Sequence, residues 1–550
     1  MFNIAVQKKS LTNIGAWFEG LPLEKIIAGL AFACAVVALA WSYWHGYVVV
    51  YGDSESHLNI AKRVVDSITP GFAQLGGIWL PLPHLLMVPF VYFDFMWRSG
   101  LAGSVVSGTA FVIATIYLYR LALFVSKSKL MAFAASVVFL TNPNILYVQT
   151  TPMTEMLLIM FFILSTYHFV RFIEDQDNIA ALVAAAIFTF LATLSRYDGW
   201  FLAGMQVGVI GLIYMPWGRL RKGVRSTLGF FKTDEWKNLE GRLIMFGVLA
   251  FFGVGLWLLW DGLILGDPLY FTHSVFSAKS QQNEWLARGA LPSYQNPWSS
   301  FLYYTVTAMS TSGVLIFLLA IAGCVTFIKQ SSNKHRYYIL LILLVPYIFN
   351  IVTLFMGQSV IFIPHLTPVG FEWRLFNVRY GVMSVPLVAF CVGYLFYRAR
   401  WVVRLLVVGL CFAQIGLYVI GYSKVIVLED GLRGLSSAVA EQPDAQQWIT
   451  TNYDGGLFLQ DDYARTVSVI RAGVPMENTI YIGNKPYWEE SLREPEKYAR
   501  WIVMQKNDAI WTNIYDKPDV QGRLYKYFVK VYTSPDILIF KRNEAVPAGQ

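Results

Sequence analysis

The sequence predicts a polytopic α-helical membrane protein with about eleven transmembrane helices and a small C-terminal α/β domain. Three observations carry this expectation. AVILMFWYC residues make up 56% of the 550-residue chain and DEKR only 14%, and the mean hydropathy is +0.48, whereas a soluble chain is roughly a quarter charged. Apolar runs of about twenty residues, the length that crosses a bilayer, recur between residues 26 and 423. From residue 425 onward the chain turns to acidic residues, turns and short β-rich runs. Disordered, collagen-like and disulfide-scaffold classes are excluded by the same composition. The 18 Trp and 31 Tyr suit a membrane protein, because these side chains collect at the two interfaces.

The predicted spans are about 26–48, 101–123, 130–149, 153–173, 178–195, 199–217, 243–265, 301–328, 337–356, 379–397 and 402–423. The 26–50 run follows an amphipathic N-terminal stretch with Lys8, Lys9 and Lys25. It is too long for a signal-peptide core and lacks a small-residue cleavage pattern, so it reads as an uncleaved first span. The 82–96 run is short and holds two prolines, Asp94 and His84; it reads as a re-entrant or interfacial segment. Charge supports that reading. With the N-terminus inside, the inner loops collect twenty Lys and Arg, including the Arg219–Arg225 cluster. The outer loops then hold only Lys62, Arg63, Arg98, Arg196, Lys279, Arg288, Arg374 and Arg379. That is a positive-inside bias, and counting 82–96 as a full span would invert every later loop. The expected topology is N-in, eleven spans and C-out, with the membrane part over 1–424, a first outer loop over 51–100 and an outward α/β domain over 425–550. The localisation that follows is an integral membrane protein; the absence of transit features and disulfides leans toward a bacterial inner membrane.

Five β-rich runs punctuate the C-terminal segment, at 456–460, 478–483, 501–504, 528–534 and 536–542. Residues 441–452 and 486–501 read as helices, with Pro495 a break in the second. Tyr487, Trp488, Tyr498 and Trp501 suit the core of this domain or a glycan-binding surface, and the core is favoured. Cys34, Cys324, Cys391 and Cys411 all fall in apolar runs without metal-ligand spacing, so packing is their expected role. No Walker loop, GxSxG or HExxH pattern occurs, which leaves ATP hydrolysis and the common hydrolase chemistries unsupported.

The candidate chemistry lies on the outer side. The first outer loop begins Tyr51-Gly52-Asp53-Ser54-Glu55-Ser56-His57 and continues LNIAKRVVDSI. Leu58, Ala61, Val65 and Ile68 share one face, widened by Val64, while Lys62, Arg63 and Asp66 lie away from it, so an amphipathic interfacial helix is expected. Asp53 or Ser54 suits its cap, and Asp53 and His57 share a side at four-residue spacing. Two carboxylates and a His in that place suit helix capping and dipole complementation, and equally a general base or a pair of metal ligands. His84, as a lone His, reads more readily as packing than as a ligand. In TTPMTE, Pro152 suits a first helical turn and Glu155 the positive end of the helix dipole. Arg196-Tyr197-Asp198 is either a local ion pair or a functional cluster at the mouth of the bundle. Tyr270, His273, Lys279 and Gln281 in the long 266–298 loop are candidate substrate contacts. Arg374 and Arg379 suit a lipid phosphate, whose oxygens match a guanidinium fork, or simple snorkelling.

The strings YGDSESHLNIAKRV, WLPLPHLL, MTE and SRYDGW, set in this topology, resemble the GT-C superfamily. These are membrane glycosyltransferases that use polyprenyl-phosphate-linked sugars, and the strings look like bacterial members of the family-39-like, dolichyl-phosphate-mannose-transferase-like group. The resemblance covers residues 1–424. It implies a catalytic base at Asp53 and the second acid of the motif at Glu55. The family often shows adjacent acids, whereas Ser54 intervenes here. That acid-x-acid form is associated with metal in some members, so a divalent cation such as Mg or Mn at Asp53 and Glu55 stays open. No WWD-type motif occurs in 425–550, which weighs against an oligosaccharyltransferase. The implied partners are a polyprenyl-phosphate sugar donor, a glycan, lipid or protein acceptor and membrane lipids, with no nucleic acid. The implied reaction is an inverting displacement on the extracytoplasmic face. His57, Lys62, His84, Glu155, Arg196, Asp198, His273, Arg374 and Arg379 are the expected substrate and lipid-phosphate contacts. A lipid-linked glycan ligase or polymerase, a transporter or flippase, and a scaffold built on the outer domain remain alternatives. Ionisable residues gathered at one face rather than in mid-span favour the enzyme over the transporter.

Overall fold

The computed structural model describes residues 20–215, 231, 233–274, 277–287, 289–367, 374–441, 443–461 and 467–544. Lys8, Lys9 and the Arg219–Arg225 cluster lie outside the described residues. The chain packs into two compact units, Met1–Tyr47 with Ser104–Asp430, and Val48–Gly103 with Gly431–Gln550. The segment read as the first outer loop thus folds with the C-terminal residues.

The larger unit is helical, and each of its eleven expected spans falls on helix. Among the described residues six helices are long and apolar enough to cross a membrane: Leu23–Trp44, Leu101–Ser126, Glu155–Glu174, Asp234–Leu265, Val378–Arg398 and Trp401–Val419. Two more candidates are bent pairs, which differ from the single runs expected. Run 301–328 divides into Pro297–Ser312 and Val314–Gln330, turned by 111°. The turn falls at Gly313, whose φ of 89° is open to glycine. Run 337–356 divides into Arg336–Leu343 and Val345–Phe355, bent by 48°, where Pro346 opens the second helix. Run 130–149 is likewise broken, into Lys129–Leu140 and Pro143–Val148, with the Asn142 side chain accepting from the N–H groups of Asn144 and Ile145. Ile179–Thr193 and Asp198–Tyr214 are apolar but shorter.

Small residues set the helix packing. Helix Val385–Arg398 lies between Lys129–Leu140 and Val314–Gln330. A Cβ at Gly393 would meet the Ala135 Cβ at 2.8 Å, and one at Gly323 would overlap the Cys391 carbonyl oxygen. Such close backbone approach is what holds helices together where lipid removes the hydrophobic drive. Gly323→Ala is therefore expected to cost about 1–3 kcal/mol and to lower the thermal midpoint in detergent; an unchanged midpoint would show that the two helices part freely. The four cysteines sit in helices as free thiols. Trp401–Val419 exposes Trp401, Leu405, Phe412 and Val419, an apolar face suited to acyl chains.

The smaller unit carries a five-stranded sheet in the order β2-β1-β3-β5-β4, where β1 is Phe458–Leu459, β2 Thr479–Ile480, β3 Trp501–Gln505, β4 Phe528–Thr533 and β5 Ile537–Arg542. All five expected β-rich runs are thus strands. β1 pairs in parallel with β2 and β3, while β5 pairs antiparallel with β3 and β4. Pro443–Asn452 is helical as expected, and the 486–501 run forms helix Tyr487–Ser491 and then a single 3₁₀ turn at Pro495. Trp488 and Trp501 are buried in the domain, and Tyr487 and Tyr498 pack on its core, as the core reading expects.

Candidate functional site

In the smaller unit, helix Gly52–Val65 presents the acidic pair. Its N-cap is Tyr51, and no side chain caps it, so the expected cap at Asp53 or Ser54 is not formed. Asp53 and Glu55 instead occupy the first turn, half-buried, where the unpaired N–H groups favour negative charge. Ser54 between them is fully buried. The helix is less simply amphipathic than expected. Leu58 and Ala61 are buried, but so are Lys62 and Arg63, because the polar face meets protein as well. Lys62 Nζ lies 3.2 Å from Asp66 and 2.6 Å from Asp94, over the buried Trp97 ring. The Arg63 guanidinium stacks 3.6 Å from the Tyr481 ring centroid. Ile68 lies beyond the helix and packs on the sheet core.

His84 is not a lone histidine. It opens helix Leu82–Val91, a segment too short to span, and its Nε2 lies 2.9 Å from His57 Nδ1. Both rings are buried, and His57 also packs against Trp79 at 4.8 Å. One ring must donate and the other accept, so at least one is neutral. Burial, and then the charge of His57, hold His84 well below the ordinary histidine range.

In the larger unit, a second cluster forms around Glu155, the first residue of helix Glu155–Glu174 and fully buried. Pro152 precedes the helix rather than opening it. Glu155 Oε1 accepts from Arg196 Nη1 at 3.1 Å and from Arg379 Nε at 3.2 Å, while Oε2 is buried with no hydrogen-bond partner among the described residues. Arg196 also donates to Asp198 at 3.3 Å and to the Thr154 hydroxyl at 3.0 Å. Both guanidiniums lie 5.2 Å from the Tyr380 ring centroid. The structure thus brings together Glu155, Arg196, Asp198 and Arg379, from segments far apart in sequence. It leaves others aside: His273 is exposed and pairs with Asp267 at 2.5 Å, and Lys279 and Arg374 are exposed. The Gln281 side chain lies outside the described residues. Sequence reasoning missed Tyr380 and Asp94; their signal was adjacency to Arg379 in one case and none in the other. Among the described residues no group of three His, Cys, Asp or Glu is placed to hold a metal.

Helices apolar and long enough to cross a membrane and a compact C-terminal segment that carries the sheet together take a fold that is also seen among solved structures. A solved structure with this fold is that of ArnT from Cupriavidus metallidurans bound to undecaprenyl phosphate, with a TM-score of 0.55 at 12% identity over 94% of this chain and 99% of that one. The apo state of the same ArnT aligns less closely, with a TM-score of 0.47 at 13% identity over 94% and 99%. The apo oligosaccharyltransferase of Archaeoglobus fulgidus gives 0.46 at 13% identity over 96% and 75%. No family model and no curated protein matches the chain by sequence.

Proposed function

We propose that this protein is an integral membrane glycosyltransferase that moves a sugar from a polyprenyl-phosphate donor to an acceptor hydroxyl on the extracytoplasmic face. The observation that carries the reading is the acidic pair Asp53 and Glu55 in the first turn of the helix that follows the first apolar span. The pair belongs to a chain whose fold resembles that of a protein solved with undecaprenyl phosphate bound. In this reading Asp53 accepts the proton of the acceptor hydroxyl. The acceptor oxygen bonds to the anomeric carbon, the bond from that carbon to the phosphate oxygen breaks, and the lipid phosphate leaves with the electron pair. A single in-line displacement inverts the anomeric centre. Arg196 and Arg379 are the proposed counter-charges for the phosphate. Lys62 is a weaker candidate, because Asp66 and Asp94 already balance its charge.

Asp53 and Glu55 are the residues that would hold a divalent ion such as Mg or Mn, and two carboxylates suit Mg, which takes its remaining ligands from water and phosphate. When bound, such an ion supplies further charge neutralisation. The charge asymmetry of the loops supports an N-terminus inside, residues 425–550 outside and eleven crossings, and the membrane is taken to be a bacterial inner one. The placement of Glu155, Arg196, Asp198 and Arg379 at helix starts and joins rather than in mid-span favours an enzyme over a transporter or flippase.

The test uses the full chain in nanodiscs with radiolabelled polyprenyl-phosphate monosaccharides and membrane lipid extract. Sugar should leave the prenyl phosphate and appear on an acceptor, with activity lost in EDTA and restored by Mg or Mn if the ion is used. No turnover of any donor, with net lipid or solute flux instead, would overturn the reading.

A further inference from the structure

Asp261 lies in the last turn of helix Asp234–Leu265 and is completely buried. Neither carboxylate oxygen has a hydrogen-bond partner among the described residues. The position is unfavourable on two further counts. The carboxylate sits at the negative end of the helix dipole, in a last turn without a basic residue, and Asp267 adds a second negative charge nearby. A group so placed does not serve stability, and such residues concentrate at functional sites.

Its surroundings are aromatic and donor-rich. The side chains of Tyr197 and Tyr270 lie within electrostatic reach of the carboxylate. Tyr197 stacks on Phe271 with ring centroids 5.4 Å apart and planes 20° apart, and Trp200 meets both rings edge-on at 5.1 and 5.4 Å. Trp257, one turn before Asp261, is buried and faces Tyr197. A carboxyl group forms hydrogen bonds with hydroxyls in either protonation state, and aromatic faces bind apolar surface. A sugar ring offers both, with hydroxyls that donate and a C–H face that stacks. With no group of three metal-ligating side chains among the described residues, a sugar suits these groups better than a cation.

Chain geometry says which sugar. Tyr197 is flanked by Arg196 and Asp198, which belong to the Glu155–Arg379 cluster, and neighbouring Cα atoms are only about 3.8 Å apart. We infer that Asp261, with Tyr197, Trp200 and Phe271, is the recognition subsite for the donor sugar, whose phosphate meets Arg196 and Arg379. The inference rests on the glycosyltransferase reading and adds a specificity determinant to it.

The test measures binding of undecaprenyl phosphate and of its glucose, mannose, galactose and arabinose esters to the full chain in nanodiscs. Wild type should bind at least one ester more tightly than the sugarless lipid. Asp261→Asn should weaken that ester about tenfold or more, as loss of buried hydrogen bonds to a carboxyl group does. It should leave undecaprenyl phosphate within about twofold, and the thermal midpoint unchanged or raised, since a buried carboxyl with no hydrogen-bond partner among the described residues has gone. Tyr197→Phe, which keeps the ring, should show a smaller loss of the same kind. Equal weakening of both lipids, no weakening of either, or a lowered midpoint without a selective loss would overturn the subsite. A wild type that binds undecaprenyl phosphate but prefers no ester overturns the subsite alone; one that binds no lipid phosphate overturns the glycosyltransferase reading with it.

Discussion

Asp53→Asn is expected to lower sugar transfer by about a hundredfold to ten-thousandfold, the usual contribution of a positioned general base, while undecaprenyl phosphate binding persists. Asn keeps the size of the side chain and removes its capacity to take a proton. Asp53 makes no N-cap and sits half-buried in the first helical turn, where its charge interacts with the helix dipole for about 0.3–1 kcal/mol. Glu55→Gln is the control. If the pair only complements the dipole, both variants lose similar small amounts of stability and neither loses transfer. If Asp53 is the base, the two diverge: transfer falls steeply in Asp53→Asn and less in Glu55→Gln, unless a divalent ion needs both, in which case EDTA-treated wild type matches the Gln variant. Full transfer by Asp53→Asn, measured as radiolabel on the acceptor, would sink the assignment.

Features that depend on local pattern were legible in the sequence. Helix Gly52–Val65, the five strands and the turn at Pro495 all follow from periodicity, turn residues and propensity over a few positions. Breaks inside long apolar runs were harder. Gly313 and Pro346 are single residues in apolar stretches, and each is tolerated within membrane helices, so neither announces a 111° or 48° turn. Pairing over distance was not legible at all. Arg379 reaches Glu155 across 224 positions, His57 reaches His84 across 27, and Lys62 reaches Asp94 across 32. Residue type shows that a charge must find a partner when buried; it does not show which partner. The same holds for Asp261, which is one acid at the end of an apolar run in the sequence and, in the fold, a buried carboxyl with no hydrogen-bond partner among the described residues.

Glu155→Ala is expected to be strongly destabilising, by about 3–5 kcal/mol, because removing one member of a buried ion cluster leaves uncompensated charge. The cluster holds two guanidiniums, Arg196 and Arg379, against two carboxylates, Glu155 and Asp198. The Glu155 side chain is 0% exposed and that of Arg379 9%. Without Glu155, both guanidiniums still share the Tyr380 face, and Asp198 remains beside Arg196. Glu155→Gln should be milder, since an amide oxygen still accepts one hydrogen bond, and the more positive cluster should bind undecaprenyl phosphate more tightly. The decisive comparison is the double variant. Glu155→Ala with Arg379→Ala removes one charge of each sign and leaves Arg196 paired with Asp198. Its unfolding midpoint in detergent should therefore lie above the value that the two single losses predict by addition, with a coupling of about 0.5–3 kcal/mol. Strict additivity would mean that Glu155 and Arg379 do not act as a pair. Their part in holding a lipid phosphate would then have to be argued for each residue alone.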